Sequence, residues 1–313
     1  MTERIVVMGS GALGGYIGGR LVQAGRDVTL IARGQHLGAM QQKGLQVQSP
    51  DGDFVIKPVK ATDDPAEVGP VDLILFCVKS YDVLNAAEML RPMMAPGTVI
   101  IPVQNGIEHI ETIGNVLGAE HILGGVSLIS GQVVAPGTIE HNSGPDTLEF
   151  GEIKGGHSSR CDRIEQILDV NGFKAAACPN IVEKMWWKLA AYSGVGVFCL
   201  VRGDRGVIWA VPETKALYRR AIAEAVTLAQ ARNIPLAASV PDEHIAILDT
   251  FPPQWKPSEL VALEGGHPLE LDPIHGALCA IGKEVGVPTP INDFIYSCLK
   301  PYIDGTPQQE SDQ

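Results

Sequence analysis

The sequence predicts an α/β chain, with a doubly wound, Rossmann-type parallel sheet in its N-terminal part and an all-helical C-terminal domain. Three observations predict it. An apolar run, Arg4 to Met8, feeds directly into Gly9-Ser10-Gly11-Ala12-Leu13-Gly14 and then into helix-forming residues. Short β-like runs alternate with turns and helical stretches through the first half. From about residue 180 a helical periodicity takes over and few strands remain.

Residues 4–8 read as a strand, Ala12 to Ala24 as a helix stopped by Gly25, and Asp27 to Ala32 as a second strand. Within that strand-turn-helix context the Gly-x-Gly-x-x-Gly spacing predicts a dinucleotide loop. Gly9 permits the tight turn, Gly11 lets the backbone approach a pyrophosphate, and Gly14 lets the helix pack close to the strand. The first N–H groups of the helix then face the phosphates. The predicted loop comprises Gly9, Ser10, Gly11, Ala12, Leu13 and Gly14.

An Asp or Glu at the end of the second strand would accept from the 2′-hydroxyl of an NAD ribose. Arg33 stands there instead, and its planar fork of donors suits phosphate oxygens. The expected cofactor is therefore NADP(H). A solvated arginine is the plain alternative, because Gly34, Gln35 and His36 read as polar loop residues too. No acidic residue is expected to compete for the position.

The next strands are read at Leu45 to Val47, Phe54 to Val59, Leu73 to Val78, Val99 to Val103 and His121 to Leu128. Val71 to Val78 is almost wholly apolar, as a parallel strand covered on both faces should be, and Tyr81 to Leu90 can form the following helix. Right-handed crossovers give the doubly wound order. Ligands in such sheets sit beyond the carboxyl ends of the strands, which singles out Lys79-Ser80 and Gln104-Asn105-Gly106. Lys79 could bring an ammonium to the cofactor's phosphates or ribose. Asn105 could bond the nicotinamide ribose and a substrate carbonyl or hydroxyl. A strand-capping lysine in water and an Asn-Gly turn without a ligand are the alternatives.

Helices are expected over Ile181 to Ala191, Glu213 to Ala231, His244 to Asp249, Leu271 to Val285 and Ile291 to Ile303. The boundary falls in Lys174 to Asn180, where a short strand gives way to Pro179 and an Asn180 cap. This divides the chain into an NADP-binding domain, 1–178, and a helical substrate and catalytic domain, 179–313, ending in a loose polar tail from Asp304 to Gln313. Chemistry in the second domain must come from residues that face the nicotinamide. Lys188 is the first candidate: reduction of a ketone leaves charge on oxygen, and a lysine flanked by Trp186 and Trp187 can donate the proton. Lys184, one turn earlier, is its rival, and a lysine snorkelling over an apolar face is the non-catalytic alternative. Gly194 and Gly196 imply close helix packing or a break, and Tyr218-Arg219-Arg220 reads as a solvated face.

Composition limits the partners. With 313 residues and 45% apolar content the chain can bury a substantial core, and a formal charge of −12 argues against nucleic acid or an anionic membrane. The longest apolar stretch, Leu189 to Val201, is too short and glycine-broken to span a bilayer. The start lacks a signal-peptide apolar region, so a cytoplasmic location is expected. Cysteines at 77, 161, 178, 199, 279 and 298 form no C-x-x-C and are read as reduced thiols. His36, His109, His141 and His275 lack metal-like spacing, so no metal is expected and each reads as a surface or hydrogen-bonded core histidine. The helical domain could pair two chains into a homodimer.

Several segments together resemble the ketopantoate reductase (2-dehydropantoate 2-reductase) family, over nearly the whole chain. They are Gly9 to Gly14, Val78-Lys79, Gln104-Asn105-Gly106, Trp187-Lys188-Leu189, and Glu270-Leu271-Asp272 with Gly276 and Gly286-Val287-Pro288-Thr289-Pro290. The resemblance implies NADPH-dependent reduction of a 2-oxo acid by direct hydride transfer, and pantothenate biosynthesis where ketopantoate is the substrate. It implies that Gly9 to Gly14 hold the pyrophosphate, that Arg33 and Lys79 serve the adenosine side, and that Asn105 meets nicotinamide ribose and substrate. Lys188 is then the proton donor, Ser258 a substrate contact, and Glu270 the acidic residue near the nicotinamide ribose and the catalytic lysine.

The departures lie in the substrate pocket. Tyr192 stands where the best-known members have an asparagine four residues after the lysine, Gly196 stands one turn later in place of another, and a third is replaced near Arg202-Gly203-Asp204-Arg205. The 2-oxo acid is accordingly ketopantoate or a relative. A 3-hydroxy acid dehydrogenase of the same two-domain plan and a non-catalytic NADP(H) sensor remain as alternatives, with a flavin protein behind them.

Overall fold

The computed structural model describes residues 3–143 and 146–307, so the end of the expected tail, from 308 on, lies outside the described residues. β1 (Arg4–Met8), α1 (Ala12–Gln23), β2 (Asp27–Ile31) and α2 (Gly34–Lys43) open the chain. Then come β3 (Leu45–Gln48), β4 (Phe54–Ile56), β5 (Ala61–Thr62), β6 (Leu73–Phe76), α3 (Val83–Met89), β7 (Val99–Pro102) and α4 (His109–Leu117). Five of these strands make one parallel sheet in the order β5-β2-β1-β6-β7. β6 and β7 are buried at every residue, as their unbroken apolar runs require of strands covered on both faces. The chain runs outward from β1 to β2 on one side and later to β6 and β7 on the other. Direction therefore reverses at β1, and the glycine loop leaves the sheet at that switch point, where open α/β sheets hold ligands.

The remaining elements of this half are β8 (Gly124–Ser127), β9 (Ser130–Ala135), β10 (Thr138–Ser143), β11 (Thr147–Gly151), α5 (Ser159–Leu168) and β12 (Lys174–Ala177). They add a four-stranded sheet, β4-β3-β10-β9, and a three-stranded sheet, β12-β11-β8. α1 packs against both of the larger sheets: a Cβ at Gly18 would lie 2.6 Å from Leu30, and one at Gly19 would lie 2.9 Å from the Phe54 ring. Its glycines thus serve close approach on two faces. β9 shows no alternating burial, since all six residues are exposed, so the period-2 pattern that reveals a half-buried strand is missing.

The second half is helical: α6 (Ile181–Val201), α7 (Arg205–Ala210), α8 (Pro212–Ala231), α9 (Val240–Asp249), α10 (Ser258–Glu264), α11 (Ala277–Val285) and α12 (Pro290–Leu299). α6 runs ten residues past the end expected at Ala191. Its glycines do not break it, because they make room for neighbours: a Cβ at Gly194 would collide with the Tyr218 ring, and one at Gly196 would sit 2.5 Å from His275 Nε2. Local chemistry fixes the ends of other helices. Asp204 caps α7 by accepting from the Val207 N–H, Pro212 opens α8, and Gly286 closes α11 in the left-handed conformation, φ +71°. Glu224 of α8 accepts from the Ile291 and Asn292 N–H groups, placing a carboxylate at the positive end of α12. A π-turn, Asp272–Gly276, leads into α11. No helix among the described residues is long and apolar enough to cross a membrane.

Contacts divide the chain into two compact units. The first holds the residues up to Gln104 and His109–Val182; the second holds Asn105–Glu108 and the residues from Glu183 on.

Candidate active site

In the first unit the glycine loop has the shape that a bound dinucleotide needs. Gly9 lies at φ +94°, where a side chain would be strained and a Cβ would sit 2.8 Å from the Val78 nitrogen. A Cβ at Gly14 would collide with the Gly9 carbonyl oxygen. Gly11 differs, since nothing lies within 4 Å of where its Cβ would be. It is the N-cap of α1 without any side-chain cap bond, so the open space faces the orphan N–H groups of the helix's first turn. Those residues fit a pyrophosphate.

Ser10 holds the loop itself. Its N–H and its hydroxyl both donate to the Ile31 carbonyl, at 2.9 and 3.0 Å, tying the loop to the end of β2. His36 adds a second tie that the sequence did not announce. Its Nδ1 accepts from the Gly137 N–H at 3.0 Å, which fixes the tautomer, and its Nε2–H donates to the Ser10 carbonyl at 2.9 Å. Burial pulls the His36 pKa below the usual imidazole value, with the Ser10 bond opposing it. His36 is helical here, and the polar loop read at Gly34 to His36 is the first turn of α2. Only Leu37 and Met40 of that helix are buried, so its apolar signal is sparse.

Arg33 precedes α2 and is 78% exposed, but it is not alone at the strand end. Its Nη2 donates to Asp82 Oδ2 at 2.7 Å, and the expectation that no acidic residue competes there is corrected. Asp82 arrives from the turn after β6, 49 residues away in sequence, which is why local reading missed it. Lys79 caps the start of that turn and is exposed. Gln104, buried two residues beyond β7, donates from Nε2 to the Phe76 and Val78 carbonyls at 2.9 and 3.0 Å and so fixes the strand end that carries Lys79.

In the second unit Asn105 Nδ2 donates to Glu270 Oε2 at 3.3 Å. The next residue supports that pairing, for Gly106 has φ +87° and lies so near the π-turn that a Cβ would stand 2.5 Å from the Pro273 carbonyl oxygen. Lys188 is buried, at 7% exposure, whereas Lys184 is exposed. The Lys188 ammonium lies 5.7 Å from the centre of the Tyr192 ring, one turn on along α6. Behind it, His244 donates to the Trp187 carbonyl at 3.1 Å and its ring packs on Trp187 at 4.0 Å, and burial lowers its pKa to about 4. Ser258 opens α10 and is exposed.

Donor types suited to a metal do meet elsewhere in the first unit. His141, Asp146 and Asp51 place one donor atom each within 4.8 Å of one another. Two of the three serve a polar network, however: His141 pairs with Asp146 at 2.9 Å and Ser49 at 2.9 Å, and Asp146 accepts from the Tyr16 hydroxyl at 2.6 Å. Arg20 in turn donates to that hydroxyl, bringing a fixed positive charge that disfavours a cation.

Residues 5–155 match the family described as Ketopantoate reductase PanE/ApbA, and residues 180–303 match Ketopantoate reductase PanE/ApbA C terminal. The chain belongs to the ketopantoate reductase family. It is an oxidoreductase of the type that acts on CH–OH groups. It is 28% identical over 302 residues to the uncharacterized oxidoreductase YkpB of Bacillus subtilis, covering 96% of this chain and 98% of that protein. It is 26% identical to the 2-dehydropantoate 2-reductase of Halobacterium salinarum, over 92% of this chain and 95% of the other. The crystal structure of a PanE/ApbA family ketopantoate reductase from Ralstonia eutropha superposes with a TM-score of 0.88 at 27% identity, covering 96% of this chain and 98% of that one. D-mandelate dehydrogenase, solved with NADH and anilino(oxo)acetate, shares the fold at a TM-score of 0.87 and 22% identity, over 96% and 98% of the two chains.

One of the glycines of α6 has a clear packing role. At 196 a glycine makes room for His275, whose Nδ1 bonds Asn292 Oδ1 at 2.9 Å and whose pKa burial lowers to about 4. A larger side chain on α6 would displace that imidazole.

Proposed function

We propose that this member of the ketopantoate reductase family uses NADPH to reduce a 2-oxo acid to the 2-hydroxy acid, with ketopantoate as the first candidate substrate. The observation that carries the reading is the pairing of Asn105 with Glu270 in the unit that also buries the Lys188 ammonium. The first unit holds the coenzyme through the N–H groups of Gly11, Ala12 and Leu13, with Arg33 and Lys79 on the adenosine side. Reduced nicotinamide, when bound, supplies the hydride to C2.

Lys188 polarises the carbonyl oxygen and donates the proton that completes the hydroxyl. Its burial makes the ammonium worth more at the oxygen than an exposed charge would be. Asn105 orients substrate and coenzyme ribose, and Glu270 fixes the amide of Asn105 by accepting one of its protons. Ser258, exposed at the start of α10, is available for the substrate's polar end. Tyr192 supports a second substrate class. Its ring beside Lys188 offers an apolar wall, which suits a 2-oxo acid without ketopantoate's hydroxyl.

The deciding assay follows NADPH oxidation over a panel of 2-oxo acids that includes ketopantoate and 2-oxoisovalerate, with 3-oxo acids for comparison. Turnover on a 2-oxo acid is expected. Coenzyme binding without turnover on any acid of the panel would remove the catalytic reading.

A further inference from the structure

The side chain of Asp82 is placed against its local tendency. It is the residue before α3, an N-cap position at which aspartate ordinarily accepts from the helix's own N–H groups. It makes no such bond here. The carboxylate turns instead to Arg33, 2.7 Å away and on the other side of the β1 edge in the sheet order β2-β1-β6. The two partners are unequally held: Asp82 is 28% exposed and Arg33 is 78% exposed. The carboxylate is the more buried member and the guanidinium the more exposed one. An ion pair so open to water is weak, so Arg33 can leave it readily for another anion.

These positions put both elements of coenzyme discrimination at one place. A guanidinium at the end of β2 suits a 2′-phosphate, and a carboxylate at that location suits a 2′-hydroxyl. We infer that Asp82 makes the adenosine-ribose subsite accept either coenzyme, reading the 2′-hydroxyl of NADH while Arg33 reads the 2′-phosphate of NADPH. The inference rests on the proposed coenzyme role of Arg33. With NADPH bound, Arg33 leaves Asp82 for the phosphate, and the remaining carboxylate repels the phosphate and weakens the preference. With NADH bound, Arg33 stays paired and Asp82 accepts the ribose hydroxyl. The carboxylate of Asp82 is therefore the specificity-determining group.

The test measures dissociation constants of NADPH and NADH by coenzyme fluorescence, together with kcat/KM for each, in the intact wild-type chain and in Asp82→Asn, Arg33→Ala and Glu88→Gln. Glu88 is an exposed carboxylate on the same helix, paired with Arg91, and controls for a change of net charge. Asp82→Asn is expected to tighten NADPH and loosen NADH, moving their ratio about tenfold, because one carboxylate has been removed from beside a phosphate and from a hydroxyl. Arg33→Ala is expected to weaken NADPH by about tenfold or more and leave NADH within about threefold. Glu88→Gln should leave the ratio alone. If Arg33→Ala weakens NADPH while Asp82→Asn leaves the ratio unchanged, the role of Asp82 fails and the coenzyme reading stands. If Arg33→Ala does not affect NADPH, both fail.

Discussion

The amide of Asn105 donates to the carboxylate of Glu270 at 3.3 Å, joining residues 165 positions apart in the chain. Asn105 follows the last strand of the parallel sheet, while Glu270 precedes the π-turn into α11, so neither side chain is placed by its own local sequence. Gly106 sets the approach, since any side chain there would strike Pro273. A bond made across such separation couples its two members energetically. Asn105→Ala and Glu270→Gln should each lower kcat/KM, and the double variant should fall short of their sum by about 1 kcal/mol or more. Strict additivity in the four-membered cycle would mean that the pair does not act as a unit.

Lys188 and Lys184 lie one turn apart on α6, but only Lys188 is buried. Replacement of a general acid costs about 10²–10⁴ in turnover, and Lys188→Ala is expected in that range with coenzyme affinity nearly unchanged. Lys184→Ala is expected to stay near wild type. Steady-state kinetics beside a coenzyme titration separates these outcomes, and a fast Lys188→Ala enzyme would assign the proton to another donor.

The first unit's parallel sheet was legible because continuous apolar runs specify strands covered on both faces, and because the glycine spacing follows a strand and opens a helix. α6 was legible at its start and not at its end. Glycines at 194 and 196 read equally as a break or a close contact, and only the tertiary neighbours Tyr218 and His275 decide. β9 escaped detection for a different reason, as an exposed edge strand carries no alternation. Among the candidate residues of the two units, Arg33, Lys79, Asn105 and Lys188 follow from strand ends and one helix. Asp82, His36 and His244 act through long-range hydrogen bonds, to Arg33, to Ser10 with Gly137, and to Trp187, that no local window contains.

The second and third glycines of the loop, Gly11 and Gly14, separate binding from packing. At Gly14 a Cβ would collide with the Gly9 carbonyl, so Gly14→Ala is expected to destabilise the fold by about 1–3 kcal/mol, as overpacking does. At Gly11 the backbone has φ −72°, which alanine adopts freely, and the Cβ would enter open space. Gly11→Ala should therefore keep its stability to within about 0.5 kcal/mol and lose coenzyme affinity. Urea denaturation and coenzyme titration of both variants check this. A Gly11→Ala protein that binds as tightly as wild type would move the pyrophosphate away from the start of α1.

Acid should loosen the helical unit before it reaches the carboxylates. Burial lowers both His244 and His275 to about 4, so each is neutral in the folded chain at pH values where the unfolded imidazole, with its ordinary value near 6.5, is protonated. The unfolded state then binds more protons, and stability must rise with pH across that interval. Their contribution is fully present above about pH 6.5 and is lost as pH falls from there toward 4, on the order of 3 kcal/mol per imidazole at most. The paired carboxylates with lowered values, such as Glu152 beside Arg160, respond only below the ordinary carboxylate range, so the upper part of the interval isolates the histidines. Urea midpoints between pH 7 and 5 should fall for the wild type and fall less for His244→Gln and His275→Gln. His244 also ties down the Trp187 carbonyl beside Lys188, so His244→Gln should lower kcat more than it raises the coenzyme dissociation constant. Midpoints that hold steady or rise as the wild type is acidified from pH 6.5 to 5 would contradict the neutral, buried assignment of both rings.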